Sequence, residues 1–282
     1  MISRFFQRKP KVAAPQAPAV SAGTVVWAIG DIHGRMDLLK PLMDAIEVDA
    51  AASSAGRKVV IFLGDYIDRG PDSRAVLRHL AELPTDGDIE WRFLKGNHED
   101  AMLNFLEDGS TGPRWCEYGG DATLRSYGLR VPDMRHKPEA WAHVAADLRH
   151  RLTARERTFL EDLEMSAVVG DYFFAHAGAR PGLPLTQQDP QDLMWIRRTF
   201  LESDVDFECV VVHGHTPTVE VYADRRRIGI DTKAYSSGRL SALRIEGAER
   251  AIIQTVPRPE GDHDPAAVVA AAVDRRALSS VP

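Results

Sequence analysis

An α/β fold of two packed mixed β-sheets flanked by helices is predicted by three features of the 282-residue sequence. Apolar strands alternate with helical patterns through the first hundred residues, as βαβ units require. Short strands separated by turn residues fill the region after Leu163. No long Gly/Ser/Pro linker divides the middle of the chain, so both patterns belong to one domain.

The elements follow in order. "TVVWAI", "KVVIFL" and "WRFL" are continuous apolar runs of the kind found in parallel strands buried on both faces. Between them, Met36 to Ile46 carries Leu38, Leu39, Leu42, Met43 and Ile46 as a one-sided helical stripe, and Ser73 to Leu80 repeats the pattern after Pro71. Glu99 to Leu163 reads as mainly helical, broken at "YGGDATLRSYG" and at Pro132. "SAVVG", "YFFAHA", "ECVVVHGH", "RRIGID", "RLSALRIE" and "RAIIQTV" then read as strands of a second sheet, mixed or antiparallel. Residues 1–23, interrupted by Pro10, Pro15 and Pro18, are expected to form a flexible tail, 24–257 the domain, and 258–282 a linker followed by an Ala-rich segment helical from Pro265 to Leu278.

Composition narrows the function. The chain is 44% hydrophobic and 27% charged, which is ordinary for a globular protein. A net charge of −6 gives no support for nucleic-acid binding. No apolar run approaches the ~20 residues that span a bilayer, so no stable membrane insertion is expected. Cys116 and Cys209 cannot form a disulfide framework and lack zinc-site spacing; they read as reduced and buried, consistent with the cytoplasm.

The polar residues fall where chemistry is expected. "AIGDIHGR" places Asp31 and His33 directly after the first strand. "GDYIDRG" ends the second strand with Asp65, Asp68 and Arg69, and "KGNHED" ends the third with Asn97 and His98. "FFAHAG" ends in His176, and "VVVHGHTP" holds His213 and His215. A helix cap or a turn accounts for one such Gly-flanked group. Five of them, each closing an apolar run, point instead to side chains converging at strand carboxyl ends, where open α/β sheets keep ligands. Carboxylate, amide oxygen and imidazole suit Mn, Fe or Zn, and the lack of Cys donors argues against a closed structural zinc site.

Asp-x-His-Gly, Gly-Asp-x-x-Asp-Arg-Gly and Gly-Asn-His-Glu, in this order, resemble the phosphoprotein phosphatase family of the calcineurin-like metallophosphoesterase superfamily, and most nearly its bacterial and phage members. The resemblance covers roughly residues 24–247 and implies an α/β/β/α sandwich with a dinuclear centre of two divalent ions, Mn first, with Fe or Zn as alternatives. It implies that Asp31 and His33 bind one ion, that Asp65 bridges both, and that Asn97, His176 and His215 complete the second. Arg69 and Arg197 would clamp the phosphoryl group, and His98, oriented by Asp68, would protonate the leaving oxygen. His213 is then a strand-end histidine, and Arg198 faces solvent. Two positions depart from the family pattern: Tyr118 stands where Asn is usual, and Lys233 where Gly is usual. Lys233 either brings positive charge near the site or is an exposed turn residue, the turn being preferred, and Asp231 reads as either a partner of a ligand histidine or a buried strand end. The implied activity is protein serine/threonine dephosphorylation. The alternatives are hydrolysis of a dinucleoside polyphosphate and a non-catalytic scaffold. Tyr66, Asp68 and Glu99 favour the first over the second, and the full set of motif residues disfavours the third.

Overall fold

A computed structural model describes residues 17–133, 138–256 and 273–277. Its strands are β1 (Thr24–Ile29), β2 (Arg57–Phe62), β3 (Ile89–Phe93), β4 (Ser166–Val169), β5 (Tyr172–Ala175), β6 (Val210–His213), β7 (Tyr222–Ala223), β8 (Arg227–Gly229), β9 (Ser241–Glu246), β10 (Glu249–Thr255) and β11 (Val273–Ala277). Six of them form one sheet in the order β11-β10-β9-β1-β2-β3, and five form another in the order β4-β5-β6-β8-β7. Helices α1 (Met36–Ala52), α2 (Ser73–Ala81), α3 (Asn97–Glu107), α4 (Gly112–Glu117), α5 (Gly120–Ser126), α6 (Pro138–Arg151) and α7 (Ala154–Glu161) precede β4; α8 (Pro190–Trp195) and α9 (Arg198–Leu201) follow β5; α10 (Ala234–Ser237) follows β8.

The two-residue period of a strand divides the core into layers. Val25, Trp27, Ile29, Val60 and Phe62 point to one side of the first sheet and pack with Leu39, Leu42, Ile46, Val76 and Leu77 of α1 and α2. Val26, Ala28, Val59, Ile61, Leu243 and Ile245 point to the other side, against Tyr172, Phe174, Val210, Val212 and Ile228 of the second sheet. The outer face of that sheet buries Phe173, Ala175 and Val211 under Leu193, Ile196 and Phe200. Helix, sheet, sheet and helix are therefore stacked in that order, as the sequence predicts.

Strands β1, β2 and β3 are mutually parallel, and so are β5, β6 and β8. Each parallel set delivers the loops after its strands to one rim, and those loops carry the polar motifs. No described helix is long and apolar enough to cross a membrane.

Several expectations need correction. "RLSALRIE" and "RAIIQTV" form β9 and β10, which extend the first sheet by antiparallel pairing beside β1 rather than joining the second. A local strand pattern specifies alternation but not which sheet receives the strand. "YGGDATLRSYG" breaks the helical region at its two ends, at Tyr118–Gly119 and from Tyr127, but its middle, Gly120–Ser126, is itself the helix α5. The Ala-rich segment contains β11, paired antiparallel with β10 over Val273–Ala277, where a helix was expected; the rest of that expected helix lies outside the described residues. The tail reading fails at its inner end: Val20 is buried and its N–H donates to Gly247 O, Ala19 N–H donates to Asp171 Oδ2, and Pro18 O accepts from the Tyr172 hydroxyl. Residues 1–16 lie outside the described residues. Cys116 and Cys209 are half-buried rather than buried, and both are free thiols.

Asp49 of α1 ties the first sheet to its helix layer. Its Oδ2 accepts from Trp27 Nε1 at 3.0 Å and from Arg244 Nε at 2.6 Å, joining β1, β9 and α1 at a shielded point. Asp49→Ala strands a buried indole N–H, and we expect it to cost about 1–3 kcal/mol. A lower urea midpoint with an unaltered slope will show this; an unchanged midpoint refutes it.

Candidate metal centre

The rim loops carry their side chains on strained backbone. Among the described residues, the non-glycine positions with positive φ are His33 (47°), Asp65 (55°), Asp68 (72°), Arg69 (67°), His215 (62°) and Lys233 (60°). Each such conformation costs on the order of 1–3 kcal/mol and persists only where neighbours enforce it. Here they do. Ile32 and His33 N–H both donate to Asp65 O, and Gly34 N–H donates to Tyr66 O, which locks the first loop to the second. Gly96 and Gly214 complete the interlock, because a methyl at Gly96 would overlap Asp65 Oδ1 and one at Gly214 would overlap Asp31 Oδ1.

Asp65 is the geometric middle. Its Oδ2 lies 3.6 Å from His33 Nε2 and 3.8 Å from His98 Nε2, and its Oδ1 lies 3.4 Å from His176 Nε2. Two groups of buried donors result, His33–Asp65–His98 and Asp65–His176–His215, and they share Asp65. Asn97 Oδ1 joins the second, 2.8 Å from His215 Nδ1 and 3.0 Å from His176 Nε2. Asp31 joins neither triad: its carboxylate accepts the His215 N–H at 3.0–3.1 Å on the same rim.

The electrostatics match a cation site. His33 Nδ1 faces Ile67 O, and His176 Nδ1 faces Leu63 O, each at 2.8 Å. A carbonyl accepts only, so each Nδ1 carries the proton and each Nε2 turns a lone pair toward Asp65. Burial and the neighbouring His98 push His33 down to about 3; burial also lowers His176, and burial with His176 pushes His215 down to about 2. All three are neutral near pH 7, as ligation requires. Burial opposes ionisation of Asp65, but the surrounding His176, His98, His33 and His215 hold it below the usual carboxylate range. Burial and the carboxylates of Asp231 and Asp65 raise Asp31 well above that range, a cost that a divalent cation offsets. Converging acceptors of N and O type fit two divalent ions.

His98 differs from the other histidines. Its Nδ1 lies 2.7 Å from Asp68 Oδ2. Burial works against its charged form, but the charge of Asp65 and the hydrogen bond and charge of Asp68 raise it to about 8. Asp68 is fully buried and fixed in turn by Trp115 Nε1 on Oδ2 at 2.7 Å and by the Thr123 hydroxyl on Oδ1 at 2.6 Å.

The two arginines stand on either side. Arg69 NH2 is 3.4 Å from His98 Nε2, its N–H donates to Gly119 O, and its Nε donates to Tyr118 O at 3.4 Å. Tyr118 serves Arg69 with its backbone carbonyl, which leaves its side chain 49% exposed. Arg197 Nε donates to His215 Nε2 at 2.9 Å, so its guanidinium lies against the second donor group. Arg198 is solvent-exposed beside Glu202. His213 points away from the rim, with Nε2 3.1 Å from Arg227 NH1 and its ring edge-on to Phe200. Asp231 is buried and accepts the Lys233 N–H at 2.8 Å.

Glu99, Trp115, Thr123 and Tyr235 received no role from sequence reasoning. Glu99 is fully buried, and its carboxylate accepts the N–H groups of Tyr66 and Asp65, both at 2.8 Å, and of Gly96 at 3.0 Å. It thereby holds the turn that presents Asp65. The available signal was its position three residues after Gly96, a capping spacing at the start of α3. Tyr235 sets its ring edge-on to His33 at 5.4 Å and under the Arg69 guanidinium at 4.7 Å.

Glu99→Ala leaves at least three buried N–H groups without an acceptor, so we expect a stability loss of about 3 kcal/mol or more. Glu99→Gln preserves size but turns an amide NH₂ toward one N–H donor; it should stay folded and bind metal more weakly. Metal titration by calorimetry checks this, and wild-type affinity in Glu99→Gln counts against it.

Known proteins resemble this chain at several levels. Serine/threonine-protein phosphatase 2 of Escherichia coli K12 is 36% identical over 97 residues, 34% of this chain and 38% of that protein. The asymmetrical bis(5'-nucleosyl)-tetraphosphatase PrpE of Bacillus velezensis is 24% identical over 245 residues, 80% of this chain and 91% of that one. The chain thus spans well under half of the first relative's length and nearly all of the second's. The crystal structure of a cold-active protein-tyrosine phosphatase from a psychrophilic Shewanella species shares the fold, with a TM-score of 0.54 at 16% identity over 93% of this chain and 83% of that one. Residues 24–238 match the calcineurin-like phosphoesterase family, and with this two-sheet sandwich and shared donor centre the chain belongs to that family of hydrolases acting on phosphoric esters.

Proposed function

We propose that the protein is a metal-dependent protein serine/threonine phosphatase of the cytoplasm. The observation that carries this reading is the buried His98–Asp68 pair beside the shared donor centre. A serine alkoxide is a strongly basic leaving group and needs a proton as the ester bond breaks. A phosphate chain leaves as a far weaker base. A protonated imidazole held by a buried, twice-supported carboxylate serves the first case better than the second.

In this reading His33, Asp65 and Asp31 would hold one ion, and Asp65, Asn97, His176 and His215 would hold the other, with Mn the first choice and Fe or Zn as alternatives. Two such ions, when bound, activate water and neutralise charge on the phosphoryl oxygens. Arg69 sits between Tyr235 and His98 and points its fork at the phosphoryl group. Arg197, whose Nε donates to His215 Nε2 at 2.9 Å, would serve as the second clamp once His215 was engaged as a ligand. His98 Nε2–H gives its proton to the departing oxygen, and Asp68 keeps the ring oriented.

A second reading, hydrolysis of a dinucleoside tetraphosphate, is favoured by similarity along 91% of the Bacillus velezensis PrpE. Metal-stripped protein, reloaded with Mn, Fe or Zn separately and assayed on phosphoserine peptides and on dinucleoside tetraphosphate, separates the two. Higher kcat/KM on the peptides supports the phosphatase, and the reverse overturns it. Chelation should abolish activity, and Asp65→Asn should lower the content of both ions.

His98→Asn provides a sharper test. The clamps, Asp65 and the proposed ligands remain, so proton donation is the proposed role that is lost, and metal content is measured alongside because His98 also faces Asp65. We expect a fall of about 10²–10⁴-fold on phosphoserine peptide and a clearly smaller one on 4-nitrophenyl phosphate, whose phenolate leaves without help. Equal losses at full metal content would falsify the acid assignment.

A further inference from the structure

We propose that Lys233, with Arg69 and Tyr235, forms a subsite for a second phosphate carried by the leaving group, beside the phosphate that is cleaved. The proposal rests on the phosphoesterase reading of the centre.

Lys233 occupies a conformation that disfavours it, φ 60° and ψ 46°, where glycine carries no penalty. The loop around it is fixed rather than adaptable. Asp231 Oδ1 accepts the Lys233 N–H, the Lys233 carbonyl accepts from Ser236 and Ser237 N–H, and Arg35 NH1 donates to Ala234 O at 2.8 Å. A strained lysine on a rigid loop is held at a chosen place.

That place is the mouth of the donor centre. The Lys233 ammonium lies 5.9 Å from the centre of the Tyr235 ring, and the Arg69 guanidinium lies 4.7 Å from the same ring, whose edge meets His33. One aromatic ring therefore gathers two cations next to a candidate ligand. The carboxylates on neighbouring segments are occupied, Asp37 by Arg35 and Asp231 by the Lys233 N–H. Among the described residues no carboxylate pairs with the Lys233 ammonium. Two like charges drawn to one ring repel each other until an anion enters between them. Arg69 faces the phosphate to be cleaved, so Lys233 is left to meet the next one. Such a phosphate belongs to a polyphosphate chain or to a second phosphoserine of a peptide; the two share the chemistry that the subsite recognises.

The test compares wild type with Lys233→Gly and Lys233→Gln, in the full chain reloaded with Mn. Glycine removes both charge and strain, so its melting temperature should equal or exceed that of wild type. Glutamine removes the charge and keeps the strain. The substrates are 4-nitrophenyl phosphate, a singly and a doubly phosphorylated peptide, and dinucleoside tetraphosphate. For both variants we expect kcat/KM on at least one two-phosphate substrate to fall about five- to tenfold relative to 4-nitrophenyl phosphate, through KM, with a weaker dependence on salt. Loss on the tetraphosphate alone identifies a polyphosphate chain, and loss on the doubly phosphorylated peptide alone identifies a phosphoprotein. An unchanged ratio on both overturns the subsite while wild-type hydrolysis of 4-nitrophenyl phosphate leaves the phosphoesterase reading standing. Absence of that hydrolysis overturns both.

Discussion

Asp65 has to face two groups of histidines at once, and the rest of the rim is arranged to let it. Its two carboxylate oxygens look in different directions, toward His33 and His98 on one side and His176 on the other. No relaxed loop conformation does this. The residue adopts φ 55°, and two segments hold it there: the first loop through Ile32 and His33, and the start of α3 through Glu99 and through Gly96, which leaves room. The first sheet supplies these segments through parallel β1, β2 and β3, and the second brings His176 and His215 to the same point from parallel β5 and β6. Two sheets are needed because one parallel set cannot surround a carboxylate.

The strain at the rim shows how this is maintained. Among the described residues, five of the six non-glycine positions with positive φ are those the motifs single out, and the sixth is Lys233. Strain of this kind is stored where a side chain must point in a direction that a relaxed backbone does not allow. The two large buried cores beneath the rim offset it, since well-packed apolar layers make the loops' endpoints rigid. A rim loop that relaxed would lose register with its neighbours before it lost its own stability.

Much of this was legible in the sequence, for physical reasons. Buried parallel strands are apolar throughout, so β1 and β2 announced themselves, and the polar residues at their ends stood out against that background. What stayed hidden depended on partners distant in sequence. β9 and β10 read as strands, but joining the first sheet depends on packing against β1, more than 200 residues away. Glu99 looked like a motif residue without a task, because its acceptor role is visible only when Asp65 and Tyr66 N–H are brought to it. Thr123 lies in a segment read as a break and Trp115 in the helix just before it, yet both fix Asp68. The inner end of the N-terminal tail was misread because backbone hydrogen bonds to Gly247 and Asp171 leave no trace in side-chain pattern.

The histidines carry the last step. Among the described residues, five of them are almost fully buried at or near the rim, and residue type alone does not separate their environments. The partner of Nδ1 does so for three. A backbone carbonyl at His33 and His176 fixes the tautomer without adding charge, so burial prevails and the ring stays neutral, with Nε2 free to ligate. A carboxylate at His98 adds charge as well as orientation, so the ring holds its proton near neutral pH although it is as buried as the others. All three face the same Asp65, whose charge favours the protonated form of each; at His33 repulsion from His98 works against it, and at His98 Asp68 adds to it. The difference comes from Asp68, and from the indole and hydroxyl that hold Asp68 in place. Environments that push like groups apart in pKa are how a single site divides ligation from proton transfer. In the proposed reading that division would rest on one carboxylate exchanged for a carbonyl behind one ring.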